Sequence, residues 1–143
     1  MTDKFKIRDY RKSDFNELNS LWESTGVGGA HRGDNKEIIR RTIECGGKLI
    51  ILENNESGKI AGTSWLTCDN RRIYLHHFAI AKEFQGQKLS HILAQASINY
   101  AKKMNMQIKL EVHESNEKAI QLYKKHGFGY LGDYEVYIIR NFN

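Results

Sequence analysis

The sequence predicts an α/β fold: one mixed, mostly antiparallel sheet with helices on both faces. Three observations point there. Two apolar runs, "KLIILE" (48–53) and "IAGTSWLTC" (60–68), flank the turn "NNESGK", which marks a hairpin. A long third strand, "RIYLHHFAIA" (72–81), follows the turn "DNRR". Beyond it the apolar spacing becomes helical, returns to a strand, and repeats, the rhythm of crossover connections. The element order reads β-α-α-β-β-β-α-β-α-β, with room for a short strand at 128–131, and 143 residues suit a single domain spanning 1–143.

Each element has its own warrant. "FKIRDY" (5–10) alternates as a strand. Ser13 is placed to cap a helix that carries Phe15, Leu18, Trp22 and Thr25 on one face. The glycine-rich loop "GVGGAHRGDN" (26–35) follows, and Asp34 with Glu37 makes an acidic capping box before the stripe Ile38, Ile39, Thr42 and Ile43. After the three strands, Leu89, Ile92, Leu93, Ala96, Tyr100 and Met104 recur at helical spacing. "QIKLEV" (107–112) puts Ile108, Leu110 and Val112 on one strand face. Asn116 caps a last helix bearing Ala119, Leu122, Tyr123 and His126, with Lys124, Lys125 and His126 at its negative end and Gly127 as its stop. "YEVYIIRN" (134–141) reads as a closing strand.

Composition narrows the function classes. The net charge is +5, but the basic residues fall in scattered doublets without interleaved aromatics, so a nucleic-acid partner is not expected. No apolar run approaches a bilayer span and the charged N-terminus has no signal-peptide core, so neither membrane association nor export is expected. Cys45 and Cys68 have no metal or redox spacing, and a reducing cytoplasmic setting is the expectation, with no metal.

The stretch "FQGQKLSHILAQ" forms a strand–turn–helix unit after Ala81. The first amides of a helix lack intrahelical partners and point, with the dipole, at the turn, where an anion is favoured. Gly86 permits close approach and Lys88 adds positive charge, although a plain βα turn would look the same. Downstream, "LEVHESNEKAIQLYKKHGFGYLG" carries Asn116, Ala119, Tyr123, Gly127 and Phe128. Together these two stretches resemble the GNAT superfamily of acetyl-CoA-dependent N-acetyltransferases over nearly the whole chain, most sharply over 76–132. The family's turn is Gln or Arg, two residues, Gly, one residue, then Gly or Ala. Gln85 matches by type, while Gly86, Gln87, Lys88, Leu89, Ser90 and His91 match by position, with Lys88 where the family has glycine and Ser90 where it has glycine or alanine.

The resemblance implies the GNAT fold with splayed central strands and acetyl-CoA as co-substrate. It implies that the amides of the 86–91 turn hold the pyrophosphate. The backbone of Phe78, Ala79 and Ile80 would dock the pantetheine arm and the oxyanion, and Asn116, Ala119 and Tyr123 would line the same track. Tyr123 would protonate the leaving thiolate; by spacing alone a core tyrosine on the stripe with Ala119 and Leu122 is the plainer reading. Glu111 is a candidate base, because a carboxylate buried in mid-strand is driven toward neutrality. Lys109 on the same face leaves an ion pair open. His76 is the rival base, with a histidine satisfied within the sheet as its plainer reading. Adjacent strand residues point to opposite faces, so at most one of His76 and His77 should face the acceptor cleft.

The acceptor is expected at the 24–35 loop and at the strand ends near Trp65, Tyr74 and His76. His31 and Arg32 would suit an acidic or carboxylate-bearing amine. Amino acids, small amines and protein or peptide N-termini stay open as acceptors, as does a longer acyl donor. The alternative is an acyl-CoA-binding regulatory module with lost or weak catalysis, suggested by Lys88 and Ser90. A homodimer paired through "EVYIIRN" is one arrangement open to the chain.

Overall fold

Strands that follow one another along the chain are neighbours in the sheet. The computed structural model describes residues 4–142. Its sheet runs β1 (Phe5–Asp9), β2 (Lys48–Asn54), β3 (Ile60–Cys68), β4 (Arg72–Ile80) and β5 (Gln107–Leu110), in that spatial order. The first three pairings are antiparallel and the last, β4 with β5, is parallel. A parallel step needs a crossover, which helix α3 (Leu89–Met104) supplies. Helices α1 (Phe15–Thr25) and α2 (Lys36–Glu44) fill the excursion between β1 and β2, and α4 (Glu117–Lys125) follows β5. This is the mixed, mostly antiparallel architecture expected.

The sheet is covered on both faces, and β2 reads accordingly. Ile50 and Leu52 join Leu66, Ile73 and Leu75 under Leu89 and Leu93 of α3. Leu49 and Ile51 face the other way, with Trp65 and Ala79, against Leu18, Trp22 and Ile39 of α1 and α2. Truncating one of these fully buried leucines to alanine costs about 3 kcal/mol, a sizeable part of a domain's stability. One polar pair sits in the α3 layer. Ser97 Oγ donates to Leu93 O at 2.7 Å, so Ser64 Oγ donates to Ser97 Oγ, also at 2.7 Å, tying α3 to β3.

Several local expectations are corrected. Asp14, not Ser13, engages the chain before α1: its carboxylate accepts from Arg11 N–H at 2.7 Å and binds the Arg8 guanidinium at 2.8 and 2.9 Å. Asn35, not Asp34, caps α2, its side chain accepting from Ile38 N–H at 2.9 Å. Asn caps as well as Asp does, which frees Asp34 for the loop. β5 stops at Leu110, two residues early, because its ladder with β4 ends at Leu75–Leu110. Among the described residues no ladder forms over 128–131 or 134–141, and Tyr134, Val136, Tyr137, Ile138 and Ile139 are exposed. β propensity marks a segment that fits a pleated surface but supplies no partner edge.

Arg8 links β1 to α1 and β2. Its Nε also donates to Glu53 Oε1 at 2.7 Å. Burial pushes the Asp14 carboxyl up, but the bonds from Arg8 and the Arg11 amide more than offset it and hold the group below the usual range. A depressed carboxyl contributes stability above its unfolded value of about 4, and that contribution disappears as pH falls through the folded value. Asp14→Asn is therefore expected to destabilise by about 3 kcal/mol at pH 7, because it leaves a largely enclosed guanidinium short of its counter-charge. The gap from the unsubstituted protein should close as pH falls from 7 through the folded value of that carboxyl. Urea unfolding across that range measures it.

Candidate active site

A single extra residue in β4 shapes the cleft. Thr63 pairs with Ala79, whereas Trp65 pairs with His76, so the register slips by one between them. The residue at the slip, His77, has φ 43°, in the left-handed region. The alternation of β4 reverses there. Ile73 and Leu75 lie in the α3 layer before the bulge, and Phe78 and Ile80 pack on that layer after it. His77 thus turns toward α1. Its ring meets Trp22 at 4.7 Å and Trp65 at 4.8 Å between centroids, both edge-on. The bulge is held by a relay: Trp22 Nε1 donates to Thr63 Oγ1 at 3.0 Å, and Thr63 Oγ1 donates to His77 O at 2.9 Å.

Beyond Leu75 β4 and the edge strand β5 part, since β5 has ended while β4 continues to Ile80. Ala81 N–H is bonded to Ala61 O, toward β3. By the two-residue alternation, the N–H and C=O groups of Phe78 and Ile80 therefore point away from β3 into the gap, while those of Ala79 serve the ladder with Thr63. Ile80 O accepts from Gln85 Nε2 at 3.0 Å, which fixes the turn that follows. The gap opens into a cleft of about 910 Å³. That is near the upper end for small-molecule sites.

The turn at 85–88 leads into α3, whose start no side chain caps. Gly86 has φ 84° and nothing lies near its missing Cβ. Lys88 occupies a left-handed position, φ 62° and ψ 23°, which explains why a glycine would be favoured there. Gly86, Lys88, Leu89, Ser90 and His91 all line the cleft; Gln87 belongs to the same turn. Uncapped amides, an ammonium and a Ser hydroxyl make a donor-rich end that fits a pyrophosphate. His91 Nδ1 meets His126 Nε2 at 2.9 Å and so ties this helix start to the end of α4.

The end of α4 explains the spacing from Tyr123 to Phe128. Phe128 N–H bonds Tyr123 O at 3.0 Å and Gly127 N–H bonds Lys124 O at 3.1 Å, with Gly127 at φ 96°. These are the two bonds of a Schellman stop, whose companion is an apolar contact between the same two residues. The Phe128 ring stands edge-on to Tyr123 at 5.6 Å, and Phe78 does so from β4 at 5.8 Å. Tyr123 is 8% exposed, lines the cleft, and has its phenol pushed up to about 12 by burial. It is thus held as a proton donor. Asn116 caps α4 through Ala119 N–H at 3.2 Å, and both residues border the cleft.

The candidate bases land differently. Glu111 borders the cleft but is exposed, just past the end of β5, so the burial that was to neutralise it is absent. His76 also borders the cleft and is exposed, bonded through Nε2 to Thr67 Oγ1 at 2.8 Å. The surrounding protein disfavours its charged form and holds its pKa below the ordinary value, with the His77 ring acting in the same direction. His77 lines the cleft too, contrary to the expectation that only one of the pair would. Strict alternation misses it, because the bulge resets the faces. The sequence also gave no sign that Asp34 would bind it, at 2.7 Å from His77 Nε2. In the loop, His31 pairs with Glu23 at 3.4 Å and Arg32 reaches Gly26 O at 3.5 Å.

Comparison with known proteins agrees with this geometry. The model of the Acetyltransferase (GNAT) family matches residues 15–128. An acetyltransferase of the GNAT family from Staphylococcus aureus Mu50 is 23% identical, with 86% of this chain and 82% of that one covered and a TM-score of 0.75. An acetyltransferase from Streptococcus agalactiae 2603 is 19% identical, with 95% and 92% covered and a TM-score of 0.77. Glucosamine-6-phosphate N-acetyltransferase from Arabidopsis thaliana is 21% identical, with 94% and 97% covered and a TM-score of 0.72. At these identities the likeness is one of fold.

Lys88 gives a direct test of the turn. A left-handed non-glycine residue costs about 1 kcal/mol. Lys88→Gly should therefore leave the protein as stable or up to about 1 kcal/mol more stable, whereas Lys88→Ala keeps the strain and gains nothing. Urea titration of the two variants side by side measures the difference.

Proposed function

The chain belongs to the GNAT family of acetyltransferases, and from that premise we propose that it moves an acetyl group from acetyl-CoA to a primary amine by direct attack, with both substrates bound together. The amine belongs to an amino acid, another small molecule, or a protein or peptide N-terminus. The observation that carries this reading is continuity. The free edge of β4 at Phe78 and Ile80, the uncapped start of α3 and the Tyr123 phenol border one cleft.

Each group has a task there. The α3 amides and Lys88 hold the pyrophosphate of acetyl-CoA, which brings the activated acetyl group. Phe78 N–H, free of β3, is a donor for the oxyanion that forms on attack. Tyr123 gives its proton to the departing sulfur. His76, Glu111 and, as argued below, His77 are the groups in reach of the incoming ammonium, which must lose a proton before it can attack. Holding both reactants in one cleft supplies much of the rate through orientation. The left-handed Lys88, with its long side chain at the cradle, favours a second reading, a module that binds acyl-CoA and transfers it weakly or not at all.

Calorimetry with acetyl-CoA and an amine panel read by thiol release separate these readings. Saturable binding with transfer supports the enzyme, binding without transfer supports the module, and no heat at millimolar acetyl-CoA removes both. Tyr123→Phe is expected to lower kcat about 100-fold with acetyl-CoA affinity little changed. Because burial keeps the phenol protonated to about 12, Tyr123 should add no alkaline limb to the rate profile below about pH 11.

A further inference from the structure

We propose that His77 is the base that takes the proton from the incoming amine, with Asp34 as its positioning residue; this rests on the acetyl-transfer reading above. Asp34 Oδ2 receives two bonds, from Gly29 N–H at 2.9 Å and from His77 Nε2 at 2.7 Å. The amide can only donate, so the oxygen is an acceptor on this side, and Nε2 is the nitrogen that carries hydrogen. Nδ1 is left with its lone pair. Among the described residues Nδ1 has no hydrogen-bond partner, and it is not among the buried polar atoms closed off without one. It is therefore open to solvent, and His77 lines the cleft with Phe78 and Tyr123.

The ring is fixed on every side. Trp22 and Trp65 grip its edges, and the bulge aims it from a left-handed backbone. Gly28 closes over the dyad, where a Cβ would collide with His77 Nε2 and Asp34 Oδ2. Neither rival is oriented in this way: His76 Nε2 is turned to Thr67, and Glu111 stands exposed with no bonded partner among the described residues. The ionisable groups around His77 are Asp34 from the loop, His76 next in the chain, and Glu111 and Tyr123 across the cleft, while α1 and β3 present uncharged Trp22, Thr63 and Trp65. When His77 takes a proton, Asp34 faces the new charge directly.

The step balances. One proton passes from the ammonium to Nδ1, and the freed lone pair attacks the thioester carbonyl carbon, forming C–N. The C–S bond then breaks, and Tyr123 protonates the sulfur. The acylated nitrogen releases a second proton, which restores the tyrosine, and His77 returns its own to solvent. An ammonium and a thioester become an amide, a thiol and one free proton.

Two measurements test this. Nitrogen NMR of labelled protein should show hydrogen on His77 Nε2 and none on Nδ1, and hydrogen on Nδ1 would overturn the proposal whatever the activity. The second measurement is kcat/KM against pH for acetyl-CoA with free amino acids, glucosamine 6-phosphate and short peptides. His77→Asn is used because asparagine tolerates the left-handed backbone, and circular dichroism checks its fold. It should lose about 100-fold at pH 7 and the acidic limb of the profile, with acetyl-CoA affinity within about twofold. Asp34→Asn should lose about tenfold and let hydrogen appear on Nδ1 in the nitrogen spectrum, since the carboxylate that fixes the tautomer is gone. A His77→Asn protein that keeps the limb and stays within threefold sinks the dyad alone. Unsubstituted protein that binds acetyl-CoA and acetylates no amine instead sinks the reading of function, and the dyad's role with it.

Discussion

The one-residue bulge in β4 is the constraint on which the cleft depends. Without the extra residue at 77, Phe78 would face α1 rather than Tyr123, and the register with β3 would run unbroken. A bulge leaves backbone groups that need partners. Here the carbonyl of His77 is satisfied by the Thr63 hydroxyl, itself fixed by the Trp22 indole, and both side chains are fully buried. The stacked pair of Trp22 and Trp65, 5.2 Å apart and 10° from parallel, surrounds that relay with apolar area. Strain at one residue persists because the packing around it leaves no alternative.

Two helix ends complete the site, and each uses a feature of helix chemistry rather than a dedicated binding motif. The start of α3 offers amides that no side chain caps among the described residues. The stop of α4 puts Phe128 against Tyr123 through the same bonds that end the helix. The contact between His91 and His126 joins these ends. Burial pushes the Tyr123 phenol up while crowding lowers the His76 and His126 imidazoles, so all three favour their neutral forms near the cleft.

Much of the fold was legible because periodicity reports which faces are buried. The five strands, α3 and α4, and the two-faced apolar run of β2 all follow from spacing. The turn at 85–88 and the Tyr123–Phe128 spacing were readable because they are local. Three things were not. The bulge depends on a register slip between distant residues, so alternation put His76 and His77 on opposite faces. Whether Asp34 or Asn35 caps α2 depends on what else Asp34 can bind, and His77 lies 43 residues away. The end of β5, and with it the exposure of Glu111, is set by where the β4 ladder stops. The apolar segment at 134–141 has strand composition, but no edge among the described residues takes it up.

The match between spatial and chain order bears on how the protein reaches this state. β2, β3 and β4 form a meander whose partners are near in sequence, so its loop-closure cost is small. β1 waits for an excursion through two helices, and β5 waits for the α3 crossover. Self-assembly should therefore start in the meander and spread outward to the edges. With no proline anywhere in the chain, imide isomerisation cannot delay it, so refolding from denaturant should lack the tens-of-seconds kinetic phase common in proteins of this size.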